Sequence, residues 1–103
     1  MKVIETASNG IVNKDTIFVF TQVDGRVSAE YSGGRIEKGF LIGKMENDRL
    51  NFSYCQLQTD GTLDNGISAC ELLISGQGKI RLIEHFEWKS RHQEPGINIF
   101  QEI

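Results

Sequence analysis

The stretch FVFTQVDGRVSAEY, residues 18–31, decides the fold because apolar and polar residues alternate on both sides of Asp24-Gly25. Alternation with a period of two is typical of a half-buried strand, and Asp-Gly favours a two-residue hairpin turn. Such a turn sets Phe18 opposite Tyr31, so the two strands share their faces. One face is then apolar (Phe18, Phe20, Val27, Ala29 and Tyr31) and the other is polar (Ser28, Glu30 and Ser32). The stretch predicts an antiparallel hairpin with one buried face.

Turn dipeptides separate similar alternating segments along the rest of the chain, at a spacing of roughly ten residues that is typical of all-β sandwiches and barrels. We predict eight strands, near residues 2–7, 15–23, 26–32, 35–45, 49–59, 65–75, 79–89 and 96–102. An open sheet of this size exposes two edges that can pair with other chains, whereas closure removes both edges. The predicted fold class is therefore all-β, an eight-stranded antiparallel up-and-down meander closed into a small barrel.

Composition bounds the class of protein. The 103 residues suit one domain spanning 1–103, and 39% hydrophobic with 24% charged residues is typical of a soluble globular domain. The formal net charge is -3 and there is no run of Lys or Arg, so we expect no nucleic-acid partner. Residues 1–20 contain no apolar stretch of signal-peptide length, and two cysteines are too few for a disulfide framework. We expect a cytoplasmic protein with reduced thiols and no membrane association.

The predicted register assigns an inward face to each later strand. It uses two-residue turns at Gly33-Gly34 and Gly76-Gln77, a three-residue loop at 46–48, and a turn at Asp60-Gly61 or two residues later. The two alternatives at Asp60-Gly61 give the same faces, because they differ by an even shift. The residues predicted to point inward are Ile36, Lys38, Phe40, Ile42, Lys44, Phe52, Tyr54, Gln56, Ile67, Ala69, Glu71, Leu73, Ile80, Leu82, Glu84, Phe86 and Trp88.

Polar side chains interrupt this otherwise apolar interior. A buried charge costs several kcal/mol unless it is paired or faces a wet cavity, so these groups have either a structural or a binding role. In the structural alternative, Lys38 neutralises one glutamate and the neutral polar groups complete a network without a ligand. In the functional alternative they form a small-molecule site, as in many barrel mouths, with Lys38 as a charge anchor. The predicted ligand-binding residues are Lys38, Tyr54, Gln56, Glu71, Glu84, Tyr31 and Trp88, with Phe40 beside them.

The predicted outer wall is more apolar than a solvated barrel requires, which indicates a homodimer interface. The residues expected to form it are Leu41, Cys55, Leu57, Cys70, Leu72 and Ile83. The alternative is that some of them lie beneath the N-terminal segment or against a flattened second sheet, or that the faces assigned to a few of them are exchanged. A metal site is not expected, because His85 and His92 are the only histidines and no third ligand lies at a recognisable spacing. We expect no cofactor.

Two stretches carry a resemblance to a known family. They are YSGGRIEKG at 31–39 followed by LIG at 41–43, and LIEHFEW at 82–88 with QEI at 101–103. The chain resembles a family of small bacterial proteins of about this length whose members often carry the label N-acetylglutamate synthase. The resemblance spans nearly the whole chain and implies a small calycin-like β-barrel. The label implies acetyl transfer from acetyl-CoA to glutamate.

Three functions compete at this point. The leading hypothesis is a non-enzymatic barrel that binds a small molecule in its interior. The second is an enzyme, either the labelled N-acetylglutamate synthase or acid-base chemistry by Glu84 with Lys38, with Glu71 as the other candidate carboxylate. The chain has no Q/R-x-x-G-x-G/A pyrophosphate loop leading into a helix, and this favours the binding hypothesis. The third is a structural or partner-binding protein that uses the outer wall.

Overall fold

The computed structural model describes residues 1–6, 10–89 and 95–103. It contains eight strands: β1 (Lys2–Glu5), β2 (Ile17–Val23), β3 (Arg26–Gly33), β4 (Ile36–Glu46), β5 (Arg49–Gln58), β6 (Leu63–Ile74), β7 (Ile80–Trp88) and β8 (Gly96–Gln101). The last residue predicted for the first strand, His92 and most of the loop between the last two strands lie outside the described residues. No helix in the described part of the chain is long and apolar enough to cross a membrane.

Each strand pairs antiparallel with the next, and β1 pairs with β8 to close the barrel in the order β1-β2-β3-β4-β5-β6-β7-β8. The predicted fold class is confirmed. The seam between β1 and β2 is short, with only Lys2 and Ile17 in register. Hydrogen bonds in both directions between Met1 and Phe18 extend this seam by one step. Closure therefore leaves no free sheet edge along the paired strands.

The first hairpin turns as predicted. Val23 pairs with Arg26 across a two-residue turn in which Asp24 adopts a positive φ of 55°. Phe18 lies opposite Tyr31, and both side chains are buried. The apolar face of this hairpin forms one wall of the barrel core.

A β-bulge at the start of β4 reverses the predicted face of that strand. Gly33 pairs with Ile36 but Tyr31 pairs with Gly39, so β4 contains one more residue than β3 between these pairs. The extra residue places the side chains of Glu37 and Lys38 one after the other on the outside. The inward orientation predicted for Lys38 is therefore wrong. The same shift turns Phe40, Ile42 and Lys44 outward, while Leu41 is buried inside.

The turn between β4 and β5 compensates for the bulge. Glu46 pairs with Arg49 across a two-residue turn at Asn47-Asp48, whereas the predicted loop has three residues. Because the two differences cancel, β5 keeps its predicted faces. Phe52, Tyr54 and Gln56 point inward, as expected.

A three-residue loop between β5 and β6 reverses the faces of β6. Leu57 pairs with Leu63, and the backbone N–H of Gln58 donates to the carbonyl of Thr62, with Gly61 at a φ of 90°. Both predicted registers have the opposite parity, so the inward orientation predicted for Glu71 is wrong. Ile67, Ala69, Glu71 and Leu73 are exposed, and Asp64, Gly66, Ser68 and Cys70 point inward. A second three-residue loop, at 76–78, restores the predicted faces of β7.

Glycines inside the barrel make room for large aromatic rings. A Cβ on Gly39 would overlap the ring of Tyr31, and a Cβ on Gly66 would overlap the phenol of Tyr54. Overpacking of a closed core is destabilising, so these positions exclude side chains while their neighbours supply the volume. The bulge in β4 thus places a glycine, rather than Lys38, beneath Tyr31.

Candidate functional site

The barrel interior contains a void of about 20 Å³. A water molecule needs about 10 to 15 Å³ on this scale, so the void holds about one water. Its walls are the aromatic rings of Phe18, Tyr31, Phe52, Tyr54, Phe86 and Trp88. Its polar groups come from Gln56, Glu84 and Asn98, and Ile11, Val12 and Leu41 complete the lining with Gly10. Aromatic walls with a few polar groups are typical of small-molecule sites, but the volume is that of a filled interior.

Five predicted ligand-binding residues line this void: Tyr31, Tyr54, Gln56, Glu84 and Trp88. The structure places Lys38 and Glu71 on the outer wall instead. Lys38 Nζ lies 5.4 Å from the ring centroid of Phe40, which is also exposed. The predicted charge anchor therefore does not face the interior, and ligand binding by the other five residues stays a prediction.

Glu84 on β7 is the most unusual group in the interior. Its side chain is 5% exposed, and Oε2 lies 2.5 Å from the hydroxyl of Ser68. Asn98 Nδ2 donates to Oε1 at 3.0 Å, and Thr6 Oγ1 donates to Asn98 Oδ1 at 2.7 Å. Burial raises the pKa of Glu84 above its ordinary value, while the hydrogen bonds from Ser68 and Asn98 oppose this shift. The proton of Glu84 is thus held more tightly than in water.

A second polar chain crosses the interior from β3 to β6. Tyr31 OH donates to Gln56 Oε1 at 2.8 Å, and Gln56 Nε2 lies 3.4 Å from Asp64 Oδ2. Gln58 Nε2 donates to the same oxygen at 2.9 Å, and Arg35 donates to Gln58 Oε1 at 3.2 Å. This chain fixes the amide of Gln56 against the void. Burial, and then the negative charge of Glu84, raises the pKa of Tyr31, so its hydroxyl stays a donor.

The aromatic walls are packed edge to face around Trp88. The ring centroids of Tyr54 and Trp88 are 6.0 Å apart with an interplanar angle of 77°, and those of Phe86 and Trp88 are 5.5 Å apart at 76°. On the opposite side, Phe18 stacks on Tyr31 at 4.3 Å. Such contacts add to burial and hold the rings in fixed orientations.

The segment 10–12, which lies outside the strands, contributes to the lining of the interior. Ile11 and Val12 are 6% and 8% exposed, and both side chains line the void. We call these two side chains the plug. The plug could not be predicted from the sequence, because no periodic pattern marks 10–12.

The plug is anchored at its C-terminal side by a turn. The fully buried Thr16 donates its backbone N–H to the carbonyl of Asn13, and its Oγ1 lies 3.1 Å from the carbonyl of Gly33. Asn13 N donates to Thr16 Oγ1 at 3.2 Å, and Asp15 N donates to Asn13 Oδ1 at 2.9 Å. The anchor ties residues 13–16 to the start of the hairpin between β3 and β4.

The sequence reasoning missed several buried polar residues, among them Asp64, Ser68 and Asn98. Asp64 and Ser68 were missed because β6 was assigned the wrong face. Asn98 could have been found, since it shares the parity of the buried Phe100 on β8. No group of three or more His, Cys, Asp or Glu within the described ranges is placed to hold a metal ion.

The outer wall of β2 to β5 forms a separate, open groove of about 980 Å³. Phe40 and Ile42 are 48% and 70% exposed there, and Ile17 and Val19 lie beside them. Of the six residues predicted for a dimer interface, Cys55 and Leu57 are exposed on the outside. Leu41, Cys70 and Leu72 point inward because of the bulge in β4 and the reversed faces of β6, so their assignment to the outer wall is wrong. Ile83 is half-buried.

The fold and its interior define the class of protein: a closed, eight-stranded antiparallel β-barrel of the calycin type with aromatic and polar side chains at its centre. The comparisons with known proteins agree with this class. The family model described as avidin-like protein matches residues 1–103, so the chain belongs to the avidin-like family. No curated protein and no solved structure matches the chain. The label N-acetylglutamate synthase stays a prediction.

Proposed function

We propose that the protein binds one small molecule inside the barrel, between the aromatic walls and the polar groups of Glu84, Asn98 and Gln56. The observation that carries this proposal is a buried carboxyl group facing a void lined by aromatic rings. Apolar side chains of the same volume would fill a small barrel at a lower desolvation cost. Polar groups that converge on a void are the usual means of orienting a ligand.

Membership of the avidin-like family supports this proposal. Eight-stranded barrels are wide enough either to be filled by side chains or to enclose one small ligand, as streptavidin does. The ligand of streptavidin is biotin, which makes biotin a natural first probe.

Binding requires the plug to leave the interior. Ligand sites commonly have volumes of about 300 Å³ or more, whereas the void of about 20 Å³ accommodates about one water. The side chains of Ile11 and Val12 line this void and belong to no strand, so their withdrawal enlarges it without breaking the barrel. We infer that the ligand replaces the plug against Tyr31, Tyr54 and Trp88.

Trp88 provides the test, because it is the only tryptophan in the chain and lines the void. We expect its fluorescence to change on titration with at least one member of a panel that contains biotin, benzamidine, benzamide and benzoate. Gln56→Ala removes an interior polar group and should weaken that binding. Asn51→Ala, on the outer face of the same strand, is the control and should leave it unchanged.

The outcome that would overturn the proposal is also defined. If no panel member changes the emission or the thermal stability, even after the plug has been truncated to alanine, the interior is a filled core. Equal losses in Gln56→Ala and Asn51→Ala would place the binding elsewhere.

We further propose that the groove on β2 to β5 pairs with a second copy of this chain. The groove combines the exposed Phe40 and Ile42 with side chains of both signs, Glu30, Glu37 and Lys38. With a twofold axis between Lys38 and these glutamates, Lys38 of one copy would face the glutamates of the other, and such a surface is complementary to itself. This replaces the predicted interface, of which Cys55 at the groove and Leu57 beside it remain.

Light scattering tests the second copy. We expect the mass of a dimer at high protein concentration, and Ile42→Glu should shift it to a monomer. Ile97→Glu introduces the same charge at an exposed apolar residue of β8, away from the groove, and should leave the dimer intact. A strict monomer at every concentration would contradict this proposal.

A further inference from the structure

The described residues that line the interior void include an acidic side chain and no basic one. Among the described residues that line the void, Glu84 is the only one whose side chain ordinarily carries a charge at neutral pH. The other polar groups there are the amides of Gln56 and Asn98 and the phenols of Tyr31 and Tyr54. No Lys or Arg within 1–6, 10–89 and 95–103 forms an ion pair with Glu84. The described lining of the site therefore offers one acidic group and no cation.

The hydrogen-bond partners of Glu84 are neutral. They are one hydroxyl, of Ser68, and one amide, of Asn98. The other buried carboxyl group, Asp64, accepts a hydrogen bond from Gln58, and the guanidinium of Arg35 donates to the same Gln58 side chain. Asp64 is therefore linked to a positive charge through one intervening side chain. Neutral donors reduce the cost of a buried carboxylate but do not supply the opposite charge. The Glu84 carboxylate is thus the group in the interior that gains most from an added cation.

The walls around the void also favour a cation. Tyr54, Phe86 and Trp88 present aromatic rings to it. The negative face of an aromatic ring attracts ammonium and guanidinium groups, and this attraction grows when water is excluded. An aromatic body on the ligand can pack against the same rings.

We propose that the ligand of this barrel is a small organic cation, an ammonium, amidinium or guanidinium group on an aromatic or apolar body, whose N–H groups donate to the Glu84 carboxylate. This inference rests on the proposed interior binding site and names the class of ligand for it. The nitrogen lies at Glu84, and the body occupies the place of the plug beside Trp88.

Three ligands of nearly equal size and shape test the charge: benzamidine, benzamide and benzoate carry a positive, no and a negative charge at neutral pH. Trp88 fluorescence and calorimetry measure their affinities for the full chain. We expect benzamidine to bind about tenfold to a hundredfold more tightly than benzamide, the range of a hydrogen bond to a charged group. Benzoate should bind most weakly.

Glu84→Gln should abolish the preference for benzamidine over benzamide. Glu87→Gln is the matched control, because Glu87 lies on the same strand with its side chain outside the barrel, and it should keep the preference. The ratio in the native chain needs no substitution, so it decides the inference even if Glu84→Gln does not fold.

The two failures are distinguishable. If benzamide or benzoate binds as tightly as benzamidine, the interior binds small molecules but the cation inference is wrong. If none of the three ligands nor biotin binds, even after the plug has been truncated to alanine, the proposed interior site itself is wrong.

Discussion

Truncation of the plug should lower the free energy of unfolding and raise the affinity for the ligand. Ile11→Ala and Val12→Ala together remove about five buried carbon groups at about 0.8 kcal/mol each, or about 4 kcal/mol. Val12→Ala alone accounts for about 1.6 kcal/mol and Ile11→Ala for about 2.4 kcal/mol. Both residues are almost fully buried, so nearly the whole of this transfer term applies.

The same free energy should appear in binding. A ligand that needs the plug withdrawn binds with an apparent affinity reduced by the fraction of molecules in that state. Substitutions that destabilise the state with the plug in place raise this fraction. Since about 1.4 kcal/mol is a factor of ten, the ligand affinity of the double variant should increase by up to about a thousandfold. We expect a graded series in which each loss of stability matches a gain in affinity.

Urea unfolding gives the stabilities, and Trp88 fluorescence gives the affinities for benzamidine and benzamide. Val3→Ala is the control, because Val3 is buried in the core and does not line the void. It should lose stability as Val12→Ala does, without a gain in affinity. The reasoning is refuted if the plug variants lose stability while their affinities stay at the native value.

Three further outcomes are expected. Burial raises the pKa of Glu84 above its ordinary 4.5, so the contribution of Glu84 to stability is fully present below pH 4.5 and declines as the pH rises through the folded-state pKa. The native chain should therefore lose thermal stability relative to Glu84→Gln from pH 4.5 upward, and a difference that stays constant with pH would contradict this. Gly39→Ala should cost about 1 to 3 kcal/mol in urea unfolding because the new Cβ overlaps Tyr31, and an unchanged midpoint would contradict the bulge. In the Ile42→Glu variant, which keeps the groove uncovered, Ellman's reagent should label the exposed Cys55 quickly and the buried Cys70 only on unfolding, since burial raises the pKa of Cys70; equal rates would contradict the assignment of faces in β6.

The architecture could be predicted because local signals specify it. Asp24-Gly25 and the alternation around it determine the first hairpin, and similar turn signals recur at intervals that leave room only for strands. Closure follows from the cost of free edges rather than from any single residue. These signals act over a few residues, so a single sequence contains them.

The interior was harder to predict because one residue in a turn or a bulge reverses a whole strand. The extra residue at Glu37 and Lys38 places Gly39 beneath the ring of Tyr31, where a larger residue would not fit. This contact joins two strands, so the alternation within one strand does not reveal it. The choice between two and three residues in a hairpin loop has the same effect. The faces of β5 and β7 were correct because two such differences cancelled before each of them.

Glu84 and Trp88 could therefore be placed in the interior from the sequence, together with Tyr54 and Phe86, but Ser68 and the plug could not. The inward position of Ser68 depends on the three-residue loop before β6. The plug lies outside the strands, where no periodic pattern predicts burial. Lys38 was assigned a role that its outward position excludes.

The most direct test of the central claim is to locate the bound ligand by NMR. With labelled protein and saturating benzamidine, nuclear Overhauser contacts from the ligand ring should reach the indole protons of Trp88 and the ring of Phe86, which face the barrel centre. Contacts to the methyl groups of Ile42 and the ring of Phe40, on the outer groove, without any to Trp88 would contradict an interior site.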